Sequence, residues 1–180
     1  MSKKRMKVRD ASFTFRMGAG FAGEVNRTHP ADIVPELIDS AASTPPTAYG
    51  QVVILDTVNS AVRPFAAGDT AVTTAYGMTV RPYPTQQASA SNFGQADLGA
   101  ATPPTSGVID VLRRGYIMAK VTGTVAKGGA VYVWCAASSG NHVQGQLESG
   151  ATGGSTAALT NLTFNGSADA NGVVEVIFNN

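Results

Sequence analysis

Gly107-Val108-Ile109-Asp110-Val111-Leu112-Arg113-Arg114-Gly115-Tyr116-Ile117-Met118-Ala119-Lys120-Val121 leads, through Lys127-Gly128-Gly129, to Ala130-Val131-Tyr132-Val133-Trp134-Cys135. Both runs are rich in β-branched and aromatic residues, which suit a pleated surface. In the second run Val131, Val133 and Cys135 fall on one face, with Tyr132 and Trp134 on the other. Gly115 interrupts the first run. Lys127-Gly128-Gly129 supplies hairpin-turn chemistry, because glycine tolerates positive φ. Residues 107–136 therefore read as a β-hairpin unit.

The same texture extends outward in both directions. Gln51-Val52-Val53-Ile54-Leu55-Asp56 is apolar on both faces, as a buried strand should be. Thr70 to Val80 is rich in Thr, Val and Tyr, with Gly77 expected as a bulge or bend. Residues 88–107 are a low-complexity run of Ala, Ser, Gly and Gln and read as a long loop. Near the C-terminus, Thr160 to Phe164 and Val173 to Phe178 pair around Asn165-Gly166 and Asn171-Gly172. No run of ten residues makes a convincing helix. The fold class is all-β: a β-barrel or jelly-roll-like sandwich over residues 51–180.

Residues 1–50 read differently. Phe13, Phe15 and Phe21 sit among Gly18, Gly20 and Gly23, and Pro30, Pro35, Pro45 and Pro46 then block helix continuation. Ile33 to Ile38 makes a turn of helix at most. Residues 1–50 are expected to form a long extended N-terminal arm with a basic tip over 1–9. So long a segment without regular structure implies a partner.

Composition supports that implication. Of 180 residues only 14% are charged, below the roughly 25% of an ordinary soluble domain. The net charge of +1 hides an asymmetry: residues 1–27 carry seven cationic and two anionic side chains (+5), and residues 28–180 balance to −4. A basic tip on a mildly acidic body reads as an arm that docks elsewhere. The longest apolar runs are four or five residues, far short of the ~20 of a membrane helix. No secretion signal is apparent, so synthesis is expected in the cytoplasm.

Catalytic and ligand chemistry lack parts. Cys135 and His142 are the conceivable nucleophile pair, but Cys135 lies within a dense strand, where an inert thiol is the commoner outcome. Asp56, Asp69 and Asp110 lie near strand ends without the spacing of an acid/base pair. One cysteine excludes an internal disulfide and two histidines exclude a histidine-rich metal site. No metal, cofactor or small-molecule substrate is implied. Nucleic acid is disfavoured as well. Lys3, Lys4, Arg5, Lys7 and Arg9 could contact phosphates. The body continues no basic groove, however, and Arg113-Arg114 put one side chain on each face of a strand.

Several stretches resemble the cement, or head-decoration, proteins of tailed-bacteriophage capsids. They include Glu24-Val25-Asn26-Arg27-Thr28-His29-Pro30-Ala31, Pro46-Thr47-Ala48-Tyr49-Gly50 and Val62-Arg63-Pro64-Phe65-Ala66-Ala67-Gly68-Asp69. Tyr76 through Gln87, Val111 through Met118, Gly128 through Trp134 and Ala168-Asp169-Ala170-Asn171-Gly172 continue the likeness. It runs from about residue 24 to the C-terminus. The resemblance implies a non-enzymatic virion protein on the outer capsid surface. It would bind the major capsid protein, clamp neighbouring subunits against DNA pressure, and act as a dimer or trimer. A head-exposed adhesin or glycan-binding decoration domain is the alternative.

Under that resemblance, Asn26, Arg27, Thr28, His29 and Pro30 form a docking strap, with Arg27 offering a bidentate fork to a carboxylate. Alternatively, this run is a tight loop capped by Asn26 and Thr28. Arg81, Tyr83, Gln86 and Gln87 line an exposed edge, with Tyr83 as aromatic anchor, or else a proline-protected edge strand. Phe13, Phe15 and Phe21 pin the arm in a neighbour's apolar pockets or fold back on their own barrel. The basic arm Lys3, Lys4, Arg5, Lys7 and Arg9 reaches toward an acidic capsid surface.

Overall fold

The structure, a computed structural model, describes residues 19–27, 29–82 and 102–179. Its strands are β1 (Asp32–Leu37), β2 (Val52–Asp56), β3 (Ala61–Pro64), β4 (Gly77–Thr79) and β5 (Val108–Thr122). They continue with β6 (Val131–Trp134), β7 (Leu147–Glu148), β8 (Thr156–Leu159), β9 (Leu162–Phe164) and β10 (Val173–Asn179). A single 3-10 turn, Ala67–Asp69, is the only helical element among the described residues. The all-β reading holds.

All ten strands share one sheet, in the order β3-β2-β4-β5-β7-β6-β8, with β1 and β10 also on β5 and β9 beyond β10. The fifteen residues of β5 are the spine. Gly115 does not break the strand but allows it to pass under another segment. Its φ is +137°, and a Cβ there would lie 2.5 Å from the Pro30 carbonyl oxygen. Next to it, β1 sets Ile33 opposite Leu112 and Asp32 opposite Arg114, leaving Arg113 without a counterpart. This bulge reverses which side chains face inward. Before it, Ile109 and Val111 enter a smaller cluster with Ile38, Tyr49, Val53 and Val62. Beyond it, Ile117, Ala119 and Val121 enter the main core with Phe65, Phe164 and Phe178.

Three local expectations are corrected. Residues 32–37 are not a helical turn but strand β1, because its alternate residues Val34 and Glu36 turn inward beside β5. Pro35 fits there: Ile38 donates to Gly107 O, just ahead of β5, so by alternation the missing Pro35 N–H falls on the side away from β5. The hairpin over 107–136 does not close. Residues 127–128 do turn, but β7 lies between the two strands, parallel to β5 at Val121–Leu147 and antiparallel to β6 at Val133–Leu147. Gly77 is no bulge either; it opens β4 in register with Val53. By contrast, the C-terminal pairing appears as read, with Val176 opposite Phe164 and Phe178 opposite Leu162.

Candidate functional site

Residues 19–27 run past Met118 of β5: Gly23 and Glu24 bond to its backbone at the strand edge, Val25 packs against the main core, and Asn26 and Arg27 reach Glu175 on the opposite face. Gly23 donates to Met118 O at 2.7 Å, Met118 donates to Glu24 O at 2.9 Å, and Arg81 N donates to Gly23 O at 2.8 Å. Ala19 N donates to Asp169 Oδ2 at 2.8 Å, anchoring the start of the segment. A tight turn lies between: Glu24 N donates to Phe21 O, and Phe21 N donates to the Glu24 carboxylate.

The end of the segment is fastened by charge. Arg27 donates through Nε to Glu175 Oε1 at 2.9 Å and through Nη2 to Oε2 at 2.7 Å. Asn26 Nδ2 adds a bond to Oε1 at 2.7 Å, and Asn165 Nδ2 bonds Oε2. The Arg27 guanidinium also sits 4.2 Å over the Tyr116 ring. Burial alone would raise the Glu175 pKa. The bonds from Asn165, Arg27 and Asn26, together with the Arg27 charge, outweigh it and hold the carboxyl below its ordinary value.

The sequence-predicted contact residues thus fall into four groups. Asn26 and Arg27 are engaged within the chain, although the Arg27 side chain remains 48% exposed. Phe21 and Arg81 come together, the guanidinium 5.0 Å over a ring that is 67% exposed. His29 and Pro30 are exposed, with Pro30 over Gly115 of β5. Phe13, Phe15, Thr28, Tyr83, Gln86 and Gln87 lie outside the described residues, as do Lys3, Lys4, Arg5, Lys7 and Arg9. Sequence reasoning missed the receiving side chains, Glu175, Asn165 and Asp169. Glu175 had a signal, since a carboxylate inside Val173-Val174-Glu175-Val176-Ile177-Phe178 calls for a cationic partner.

The conceivable nucleophile pair does not form. Cys135 is buried in the main core, its Sγ 3.6 Å from Val133 O, and burial pushes its thiol up to about 11. His142 belongs to the opposite face of that strand. It stacks on Trp134 with centroids 4.2 Å apart, and its Nδ1 lies 2.9 Å from Glu148 Oε1. Asp69 is held by Arg63 at 2.7 Å and accepts the Ala66 N–H. Asp56 caps Val58 and Asn59, and Asp110 is exposed. The three carboxylates have separate structural settings. No group of three or more His, Cys, Asp or Glu side chains suited to a metal occurs among the described residues.

The fold is similar to that of a chain in the solved capsid of Myoviridae phage XM1. That chain is 20% identical, with a TM-score of 0.65 over 97% of this chain and 98% of the other. The class is that of a structural protein of the bacteriophage virion, associated with its capsid. More particularly, the chain belongs to the XM1 gp53 minor capsid protein family, whose sequence profile matches residues 11–178. No curated protein matches it.

Proposed function

We propose that the protein is a capsid cement protein. It binds the outer surface of the phage head, contacts the major capsid protein and clamps neighbouring subunits against the pressure of packaged DNA. It acts by binding and catalyses no reaction. It meets further copies of itself as a dimer or trimer on the lattice, and passes through the host cytoplasm during assembly.

The strapped N-terminal segment carries this reading. Three hydrogen bonds from Asn26 and Arg27 to Glu175, with a fourth from Asn165 to the same carboxylate, hold this part of the segment in one geometry. Preorganisation of this kind lowers the ordering cost of docking. Phe21, His29 and Pro30 are the exposed contact residues, with the half-buried Arg81 beneath the Phe21 ring. Asn26 and Arg27 position the strap. Phe13, Phe15, Tyr83, Gln86 and Gln87 supply further anchors, and the basic tip faces capsid carboxylates.

The test is sedimentation of the purified protein with heads stripped of it. Saturation at a fixed copy number per capsid subunit, with a raised thermal rupture temperature of the head, is expected. Free protein beside unoccupied heads, or full occupancy with no gain in rupture temperature, would overturn the clamping role. The second result would favour an adhesin.

A further inference from the structure

We infer that the cavity beside the β2–β3 turn is a receptor for one arginine side chain of the major capsid protein. The inference deepens the capsid reading and rests on it for the partner, while the chemistry of the cavity stands by itself. The cavity holds about 260 Å³. Asp39 and Ser43 line it from the segment after β1, Asp56 and Asn59 from the turn, and Gln144 from the loop before β7. Pockets that enclose a drug-sized ligand run to roughly 300–1,000 Å³, so this space suits a single side chain.

Its wall carries acceptors that lack donors. Asp39 is only 5% exposed and Gln144 only 8%. Asp39 takes the Ala41 N–H at 2.9 Å and the Asn59 amide at 3.2 Å, both on Oδ1. Gln144 Nε2 donates to Phe65 O at 2.7 Å, which fixes the amide and leaves Oε1 on the other side. Neither Asp39 Oδ2 nor Gln144 Oε1 accepts a hydrogen bond from a described residue. Neither is sealed off, because among the described residues the one side-chain polar atom both fully buried and unpartnered is Arg113 Nε. Two oxygens of nine-tenths-buried side chains thus open on the same cavity. Asp56 repeats the arrangement, with Oδ1 on the Val58 and Asn59 N–H groups and Oδ2 unused.

Buried acceptors without donors call for a donor-rich ligand, and buried charge calls for a cation. Arg63, at the cavity wall, does not meet the need: its Nη1 and Nη2 are engaged by Asp69, at 2.7 and 3.2 Å. No ion pair reaches Asp39 or Asp56 among the described residues, so both charges stand uncompensated. A guanidinium spreads its N–H donors over a planar fork and serves acceptors on several sides at once. An ammonium is a compact, strongly hydrated point charge. The cavity therefore selects arginine.

The described body has little arginine to lend a second copy. Arg27 is bound to Glu175 and Arg63 to Asp69, while Arg81 and Arg113 lie over Phe21 and Tyr76. Arg114 stands opposite Asp32 across the β1–β5 pair. The mouth of the cavity, at Ala41, Ser43 and Asn59, is exposed and open to a second protein. On the head, the capsid reading makes that protein the major capsid protein.

The experiment places p-azidophenylalanine at the exposed position 43 of the full chain, binds it to stripped heads and irradiates. Crosslinks to an arginine-containing peptide of the major capsid protein are expected. Asp39→Asn and Asp56→Asn, each with unchanged melting temperature, should weaken binding to heads about tenfold, because each removes a charge that faces the guanidinium. Ser43→Arg, an exposed change that sets the chain's own cation at the mouth, should weaken it similarly and serves if either other variant unfolds. Crosslinks to another copy alone, or unaltered affinity in the folded variants, would overturn the inference. If the protein does not bind heads, the capsid reading fails instead. Ethylguanidinium titrated into the free full chain then decides the cavity by itself. Saturable shifts of the Ser43 and Asn59 amide signals, lost in Asp39→Asn, support a guanidinium site, and their absence overturns it.

Discussion

Arg27 and Glu175, 148 residues apart in sequence, form a bidentate ion pair that ties the N-terminal segment to the last strand of the sheet. The pair has a half-exposed cation and a largely buried carboxylate. Solvent therefore screens part of the attraction, and the two neighbouring amides contribute alongside the charge.

Glu175→Gln keeps the shape and removes the charge. A charge-assisted bond is worth roughly 1.5–3 kcal/mol when shielded, and exposure of Arg27 reduces that to about 1 kcal/mol here. We expect a melting point a few degrees lower and faster tryptic cleavage after Arg27. A double-mutant cycle with Arg27→Met should show coupling; additive losses would place the stabilisation in the amides.

The same carboxylate sets a pH response. The folded pKa of Glu175 lies below its ordinary 4.5, so its stabilisation is complete above that value. It is lost as pH falls from about 4.5 through the lower folded pKa, where the native state must take up the proton. Asp69 and Asp169 are also shifted down, from 3.8, so their contributions are lost only as pH falls below that value. Chemical denaturation from pH 6 to pH 3 should show the decline, and Glu175→Gln should show a shallower one.

Gly23 has φ +85°, and a Cβ there would meet the Tyr49 Cβ at 2.4 Å and the Gly50 nitrogen at 3.0 Å. Both the left-handed backbone and the backbone neighbour resist a side chain. Gly23→Ala is expected to cost about 2 kcal/mol or more. Gly68→Ala, with open space around it and ordinary φ, is the control and should change the melting curve little.

Cys135 should be inert in the folded protein. Its buried thiol, with pKa about 11, leaves almost no thiolate at pH 8. A chromogenic disulfide reagent should find no reactive thiol in the native state and one per chain in denaturant. Rapid native labelling would contradict the placement of Cys135 in the core.

Reading failures have specific causes. Pro30 and Pro35 mark residues 30–38 as arm, yet Pro35 is tolerated in β1 because its nitrogen faces away from β5. The turn at Lys127-Gly128 is real, but a turn does not choose partners: two residues of β7, from twenty positions later, take the place beside β5. Within the strap, the bidentate fork of Arg27 was legible, but its carboxylate was expected on a partner, and in the fold it is the chain's own Glu175.

Alternation, turn dipeptides and the scarcity of helix periodicity determined the all-β class, the C-terminal strand pair and the inert setting of Cys135. Those signals are local, carried by residues within a few positions of one another. Tertiary structure alone decided that β1 joins the sheet, that a bulge at Arg113 exchanges the faces of β5, and that Arg27 closes on Glu175. Each depends on which distant segments share an edge or a face. Strand periodicity is the same whichever strand lies alongside, so only burial of the whole core selects the pairing.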